Sequence, residues 1–323
     1  MQGAPTVVGT GLIALDKVFA QGSKHVRHWA GGTCANVLTI LSYLGWHAYP
    51  VARLNGDAAA VHVIRDLRRW GVRLSLIQSS PATRTPVVLH RIVHSTNGAV
   101  RHQFSWEVRT KPWLLAKIAR TVAAEAPKAD VFFLDRLSPG AVILARHAAD
   151  HGAIVFFEPT GVGDRNLFQQ AAECAHIVKY SRDHARTIRP ALLGKQPFIE
   201  IETLGRNGLR YRTSQERSAS PNWTALAPFR PTAMKDAGGA GDWCTAGIIN
   251  SLGRQGLKGL TGSTAREIRD AINWGQALAA WNCGFEGARA GMYHRPKRAF
   301  KSDIDRIIEH GPSRIPKNGR LIP

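Results

Sequence analysis

Asp236-Ala237-Gly238-Gly239-Ala240-Gly241-Asp242 runs without a break into Trp243–Leu252, a stretch of helical spacing. From Ala237 to Gly241 each side chain is a methyl group or a hydrogen, so nothing shields the backbone where the helix is to begin. Successive N–H groups exposed at a helix start carry about half a positive charge and suit phosphate oxygens. Asp242 falls in the first turn, where a carboxylate would repel an incoming anion. Beside an anion cradle it makes sense as the acceptor of a proton from an attacking hydroxyl. It makes equal sense as an acid that complements the helix dipole. The segment alone leaves both readings open.

Upstream, apolar runs of strand length alternate with segments of helical period. Strands are predicted at Thr6–Ile13, Tyr49–Leu54, Val131–Leu134, Ala153–Phe157, Ile177–Lys179 and Pro197–Ile201. Helices are predicted at Ala35–Leu44, Ala58–Trp70, Trp113–Ala124, Ala141–Ala149 and Asp164–Cys174, and downstream at Ala265–Cys283. This alternation predicts an α/β fold, a mostly parallel sheet with helices on both faces. One segment breaks the rhythm. Pro86 to Trp106 reads as two strands joined by Asn97-Gly98, and Asn-Gly supplies the positive-φ pair of a type I′ turn. A two-residue turn pairs Thr96 with Ala99, His94 with Arg101 and Ile92 with Gln103. A hairpin inserted in an α/β domain often serves as a lid.

At 323 residues the chain can bury a full core without staples. Its 44% hydrophobic and 20% charged residues exclude a disordered chain. No apolar run reaches the roughly 18 residues of a membrane span. The four cysteines (Cys34, Cys174, Cys244 and Cys283) form no CxxC pair, which predicts free thiols, a cytoplasmic setting and no zinc site. The charge is unusual: 43 Lys and Arg against 23 Asp and Glu, net +20. Such an excess fits an anionic partner such as nucleic acid, nucleotide or phosphosugar, or simply an Arg-rich solvated surface. The densest basic groups, Arg65-Asp66-Leu67-Arg68-Arg69 and His294-Arg295-Pro296-Lys297-Arg298, are short. No zinc-finger or RNP-type motif accompanies them, which argues against nucleic acid.

Three further glycine motifs lie upstream. Gly9-Thr10-Gly11-Leu12-Ile13-Ala14 fits GxGxxA after a strand, yet no acid occurs between Asp16 and Asp57 to hold a ribose. It reads better as a strand leaving the sheet through a glycine turn. Asp16 then lies just past a strand's C-terminal end, where open α/β sheets bind ligands. Gly31-Gly32, before the helix that holds Asn36, permits close approach of a ligand to backbone. Thr203-Leu204-Gly205-Arg206-Asn207-Gly208 enters a strand at Leu209–Arg212, as a plain turn or as a loop that contacts a nucleotide.

Gly-Gly-x-x-x-Asn, Thr-Leu-Gly-x-x-Gly and Asp-x-x-Gly-Ala-Gly-Asp occur in that order on an α/β chain with an inserted hairpin. This pattern resembles the ribokinase-like (PfkB) family of carbohydrate kinases, from about residue 6 to residue 290. The resemblance implies a three-layer α/β/α ribokinase-like sandwich, one domain over residues 1–323. Lid strands are implied near 16–30 and 85–107, and the Pro-containing residues 311–323 read as a loose tail. It implies transfer of the γ-phosphoryl of ATP to a hydroxymethyl group of a sugar or sugar derivative. Asp242 would be the base, with Gly239, Ala240 and Gly241 as the anion hole. Asp16, Gly31, Gly32 and Asn36 match substrate-hydroxyl positions. Lys179, Ser181, Thr203, Gly205, Gly208 and Gln276 match the nucleotide side. Mg2+ is implied as cofactor, with K+ or a similar ion near Asp236.

Two departures stand out. Where the family carries Asn-x-x-Glu to organise magnesium, this chain has Ser181-Arg182-Asp183-His184. Asp183, one residue off, is the candidate substitute ligand, and Arg182 a candidate source of phosphate charge. Where the family has Asp-Pro-Asn, Glu158-Pro159-Thr160 keeps the charge at longer reach, with Glu158 a second metal candidate. Two alternatives follow: a nucleoside kinase of the same fold, or a catalytically weak sugar- or nucleotide-binding sensor. On the hairpin, His90, Arg91, His94, Arg101 and His102 would make a basic lid for an anionic acceptor or a solvated face, and Phe104 and Trp106 could stack on a nucleoside base. The expected partners are a small-molecule sugar or nucleoside and, through the lid, a second copy of the chain.

Overall fold

Thirteen strands in two sheets organise the computed structural model, which describes residues 3–20, 25–94, 100–109, 114–214 and 222–312. The strands are β1 (Thr6–Thr10), β2 (Ala14–Ala20), β3 (Val26–Gly31), β4 (His47–Leu54), β5 (Ile77–Ser79), β6 (Val87–His94), β7 (Val100–Val108), β8 (Val131–Leu134), β9 (Ile154–Phe157), β10 (Ile177–Ser181), β11 (Ile199–Thr203), β12 (Leu209–Thr213) and β13 (Thr224–Leu226). The helices are α1 (Thr33–Tyr43), α2 (Ala58–Arg69), α3 (Ala116–Glu125), α4 (Pro139–Asp150), α5 (Arg165–Cys174), α6 (Arg182–Ala191), α7 (Ala240–Leu252), α8 (Gly256–Thr261), α9 (Ala265–Asn282), α10 (Ala290–His294) and α11 (Lys297–Glu309).

The larger sheet has the order β13-β12-β11-β10-β9-β8-β1-β4-β5. It is parallel from β5 to β11, and β12 and β13 close one edge antiparallel. β8 and β9 are buried at every position, as strands covered on both faces must be. One face packs against α1, α7, α9 and α11 through residues such as Val37, Trp243, Leu278 and Ile304. The other packs against α3 to α6 through residues such as Val122, Leu144, Phe168 and Ile188. The result is a three-layer α/β/α sandwich with a mixed, mostly parallel sheet. The second sheet, order β3-β2-β6-β7, is the small inserted lid. No described helix is long and apolar enough to cross a membrane.

Several expectations need correction. The run Thr6–Ile13 is not one strand: β1 stops at Thr10, and β2 begins the lid at Ala14. At Gly11 (φ +150°) an added Cβ would overlap the Asp135 carboxylate, so the chain bends there. Asp16 therefore sits inside lid strand β2, not past the end of a sheet strand. The hairpin is present, but its register differs by one residue: His94 pairs with Val100 and Ile92 with His102. One residue of slip exchanges the faces of one strand relative to the other. Residues 95–99, including the expected Thr96–Ala99 pair and the Asn97-Gly98 turn, lie outside the described residues, as do Trp113 and 313–323 of the expected tail.

Candidate active site

The loops at the C-terminal ends of the parallel strands meet the N-termini of α1 and α7. Both helices begin on a glycine that offers no side-chain cap. Gly32 (φ +88°) precedes α1, and Gly239 (φ +75°, left-handed) precedes α7. An added Cβ on Gly32 would overlap Leu12, and one on Gly239 would overlap Ala288, so only glycine lets these segments approach. The Ala240 N–H turns back to the Ala237 carbonyl at 3.1 Å. The first-turn N–H groups of Gly241 and Asp242 have no acceptor among the described residues, and Gly241 is exposed. A helix start left open in this way is an anion seat.

Asp242 is partly exposed as a residue, but its carboxylate is buried and points at Asn36. Asn36 Nδ2 donates to Asp242 Oδ2 at 2.7 Å across 206 positions of sequence. Burial pushes the Asp242 carboxyl up to about 7, with Glu158 adding and Asn36 and Lys179 opposing. Lys179 is 2% exposed, its Nζ 2.5 Å from Glu158 Oε1 and 3.3 Å from the Gly241 carbonyl. Burial works against this ammonium, but Glu158 beside it and Asp242 behind it hold it above the ordinary lysine range. Glu158 Oε2 accepts from Thr245 Oγ1 at 2.6 Å, so both its oxygens are engaged.

On the lid side, Asp16 lies against Gly31, where any Cβ would overlap its carboxylate. Burial raises its carboxyl to about 7, with Arg289 opposing. Replacing Gly31 by alanine is therefore expected to push the Asp16 carboxylate aside.

Lid register adds to this side. Asp16 pairs with Trp29 and Val88, Val88 with Trp106, and Val18 with His90, which pairs with Phe104. One lid face thus carries Asp16 together with Phe104 (63% exposed) and Trp106 (39% exposed). His90 is buried and stacked on Phe104 at 4.4 Å. Arg91 belongs to the opposite face, its guanidinium 5.4 Å from the Phe19 ring. The two therefore do not form a shared basic face. The side chains of His94, Arg101 and His102 lie outside the described residues.

On the β10–β11 side, Ser181 and Thr203 are brought together as partners at the strand ends. The turn that follows is held by the Leu204 N–H on the Gly208 carbonyl at 2.7 Å, with positive φ at Gly205 and Gly208. Gln276 is buried and gives its amide to the Ala227 carbonyl at 3.2 Å, tying α9 to the segment after β13.

The expected metal ligands fare differently. Asp183 is exposed in the first turn of α6. No group of three His, Cys, Asp or Glu suited to a metal occurs among the described residues. Glu158 is held by Lys179 and Thr245. This donor set does not fit a protein-held magnesium. Near Asp236 the residues do fit a monovalent cation. The carboxylate is buried, accepting from the N–H groups of Gly238 (2.5 Å) and Gly287 (2.7 Å). Asn282 Nδ2 donates to the Gly238 carbonyl at 2.9 Å, while its Oδ1 is buried without a hydrogen-bond partner. That oxygen is the kind of donor potassium takes.

Two residues escape the sequence reading. Asp135, one residue past β8, accepts from the Leu12 N–H at 3.0 Å, and burial raises its carboxyl to about 6. Its position just after a predicted strand was the available signal. Arg289, 2% exposed, places Nε 2.9 Å from Asn36 Oδ1 and Nη2 2.8 Å from Asp66 Oδ2. Nothing in its local sequence announces that.

Comparison with solved structures shows the same fold at low identity. Aminoimidazole riboside kinase from Salmonella enterica, complexed with aminoimidazole riboside and an ATP analog, aligns with TM-score 0.71 and 18% identity over 93% of this chain and 99% of its own. Fructokinase from Xylella fastidiosa with bound ATP gives 0.70 and 17% over 94% and 98%. The nucleoside kinase of Burkholderia thailandensis in complex with inosine gives 0.68 and 16% over 95% and 100%. No curated protein matched the chain in sequence. The family model described as pfkB family carbohydrate kinase matches residues 12–295, which takes in both glycine-capped helices and the lid, and the chain belongs to that family of small-molecule kinases.

Proposed function

We propose that this chain transfers the γ-phosphoryl of ATP to a hydroxymethyl group of a sugar or sugar derivative, with Asp242 as the base. The observation that carries the reading is Asp242 itself. Its buried, hydrogen-bonded carboxylate sits in the same helical turn as N–H groups that have no partner. A phosphoryl group seated on that helix start and a hydroxyl held between Asp242 and Asp16 would meet over one carboxylate. Asp242 takes the hydroxyl proton as the phosphoryl moves. The N–H groups and Lys179 meet the charge that spreads over the phosphoryl oxygens, with no reorganisation needed. Asp16, Gly31, Gly32 and Asn36 hold the acceptor. Ser181, Thr203, Gly205 and Gly208 border the nucleotide. Gln276, turned to Ala227, supports that border from behind. Magnesium held by the nucleotide's own phosphates, not by this chain's side chains, would supply positive charge there, which suits an ion that keeps most of its water. Asp236 and the Asn282 carbonyl oxygen would hold a monovalent cation, which supplies positive charge behind the α7 start.

A nucleoside acceptor is the second reading, favoured by the exposed Phe104 and Trp106 on the Asp16 face of the lid. The same face, ending at edge strand β7, is where a second copy of the chain would pair. The deciding experiment is ADP release over sugars, sugar acids, sugar phosphates and nucleosides, with and without magnesium and potassium. Turnover of a sugar supports the first reading, and turnover of nucleosides alone supports the second. Thermal stabilisation by a sugar or nucleoside without ADP from any acceptor would leave only a sensor.

The base must be ionised to work. Because the Asp242 carboxyl is raised to about 7, kcat/KM is expected to fall about tenfold for each pH unit below 7. It should level off above 8, as measured with an uncharged acceptor. An acid limb centred near 4 would contradict this assignment.

A further inference from the structure

We propose that Arg289 is a positioning residue, one that fixes which end of the Asn36 amide faces Asp242 and ties that choice to the lid. The inference rests on the kinase reading above. A guanidinium carries five N–H donors and no acceptor. The Asn36 atom 2.9 Å from Arg289 Nε is therefore the carbonyl oxygen. The amide's other end is then NH2, and one of its protons reaches Asp242 Oδ2 at 2.7 Å. Without Arg289 the amide could turn over, and its oxygen would oppose the carboxylate. The second Asn36 N–H stays available for an acceptor hydroxyl.

The guanidinium is itself anchored on two further elements. Nη2 donates to the Ala30 carbonyl of lid strand β3 and to Asp66 Oδ2 of α2 at 2.8 Å. The Tyr293 hydroxyl donates to Asp66 Oδ1 at 2.5 Å, which keeps that carboxylate turned toward Arg289. The loop that delivers Arg289 is pinned to the anion seat. Gly287 donates to Asp236, and Trp243 Nε1 donates to the Ala288 carbonyl at 3.1 Å. The remaining nitrogen, Nη1, is buried without a hydrogen-bond partner. An unmatched buried donor is costly, so packing alone does not account for an arginine here. The lid strand, the acceptor amide and the base are thereby linked through one side chain.

Arg289→Lys keeps a positive charge for Asp66 but loses the planar fork. It is expected to lower kcat by about ten- to a hundredfold, the effect of one hydrogen bond to a charged group, while the ATP KM stays within twofold. In an Asn36→Ala background the same substitution should cost nothing further, because its effect runs through Asn36. Equal losses in both backgrounds would overturn the inference, as would an ATP KM that moves with kcat. Should Arg289→Lys fail to fold, Asp66→Asn carries the same cycle: its smaller kcat loss must vanish when Asn36 is alanine. Wild-type turnover separates the two claims. Turnover with additive losses leaves the kinase standing and removes Arg289's role, whereas no ADP from any acceptor removes both.

Discussion

Asp242→Asn is expected to bind ATP with unchanged affinity and to lower kcat by about a hundred- to ten-thousand-fold, the range a positioned general base supplies. The substitution is nearly isosteric, so Asn36 Nδ2 keeps an oxygen to donate to and the α7 start keeps its shape. What is lost is the atom that accepts the hydroxyl proton. Stability should move the other way. The Asp242 carboxyl is pushed upward first by burial and then by Glu158 and Asp135, so a neutral amide removes both the desolvation cost and the repulsion, and the melting temperature should rise or hold. A variant that loses activity by unfolding would show the reverse. Retention of more than a tenth of wild-type kcat would place the base elsewhere, with Asp135, raised to about 6, the next carboxylate to test.

Lys179→Met should be the most damaging substitution for the fold among the site residues. Lys179 and Glu158 form an ion pair at 2.5 Å with side chains 2% and 13% exposed. Removing one member leaves the other charge buried and unpaired, which typically costs about 3–5 kcal/mol. Denaturant titration should read that loss. Replacing both partners, as in Lys179→Met with Glu158→Gln, should recover most of the stability. The glutamine keeps a carbonyl oxygen for Thr245, and a buried pair exchanged for neutral groups is often close to neutral. Turnover should not return with it. The ammonium also lies 3.3 Å from the Gly241 carbonyl at the anion seat, and no other described residue takes its place there. Recovery of kcat in the double variant would show that Lys179 serves only to balance Glu158.

Elements with strong local signals were legible. Val131–Leu134 and Ala153–Phe157 are apolar at nearly every position, and they are the fully buried β8 and β9. The small-residue run into α7 was legible because it needs no partner to be read. Asn36 and Asp242, each at a fixed offset from a glycine motif, are brought into contact. The departure of β2 from the sheet was hidden, since the close contact of Gly11 with the Asp135 carboxylate joins residues far apart in sequence. The hairpin register was missed because Asn-Gly is a local cue, whereas the observed pairing also contains a shift between Val87 and Val88. Arg289 was illegible for the same reason: its partners Ala30, Asn36 and Asp66 are more than two hundred positions away. Gln276 matched a motif position, yet its amide is turned inward to Ala227.

That separation has a bearing on synthesis. Arg289 reaches the Ala30 carbonyl across 259 positions, and β1 in mid-sheet waits for β8, more than a hundred residues later. A ribosome adding about 5–20 residues per second releases the N-terminal strands long before their closing partner. During that interval the lid strands have no latch and Asn36 has no fixed orientation. Truncated nascent fragments that end short of the ninth helix's exit loop would therefore be chemically silent even where the layered body has already formed.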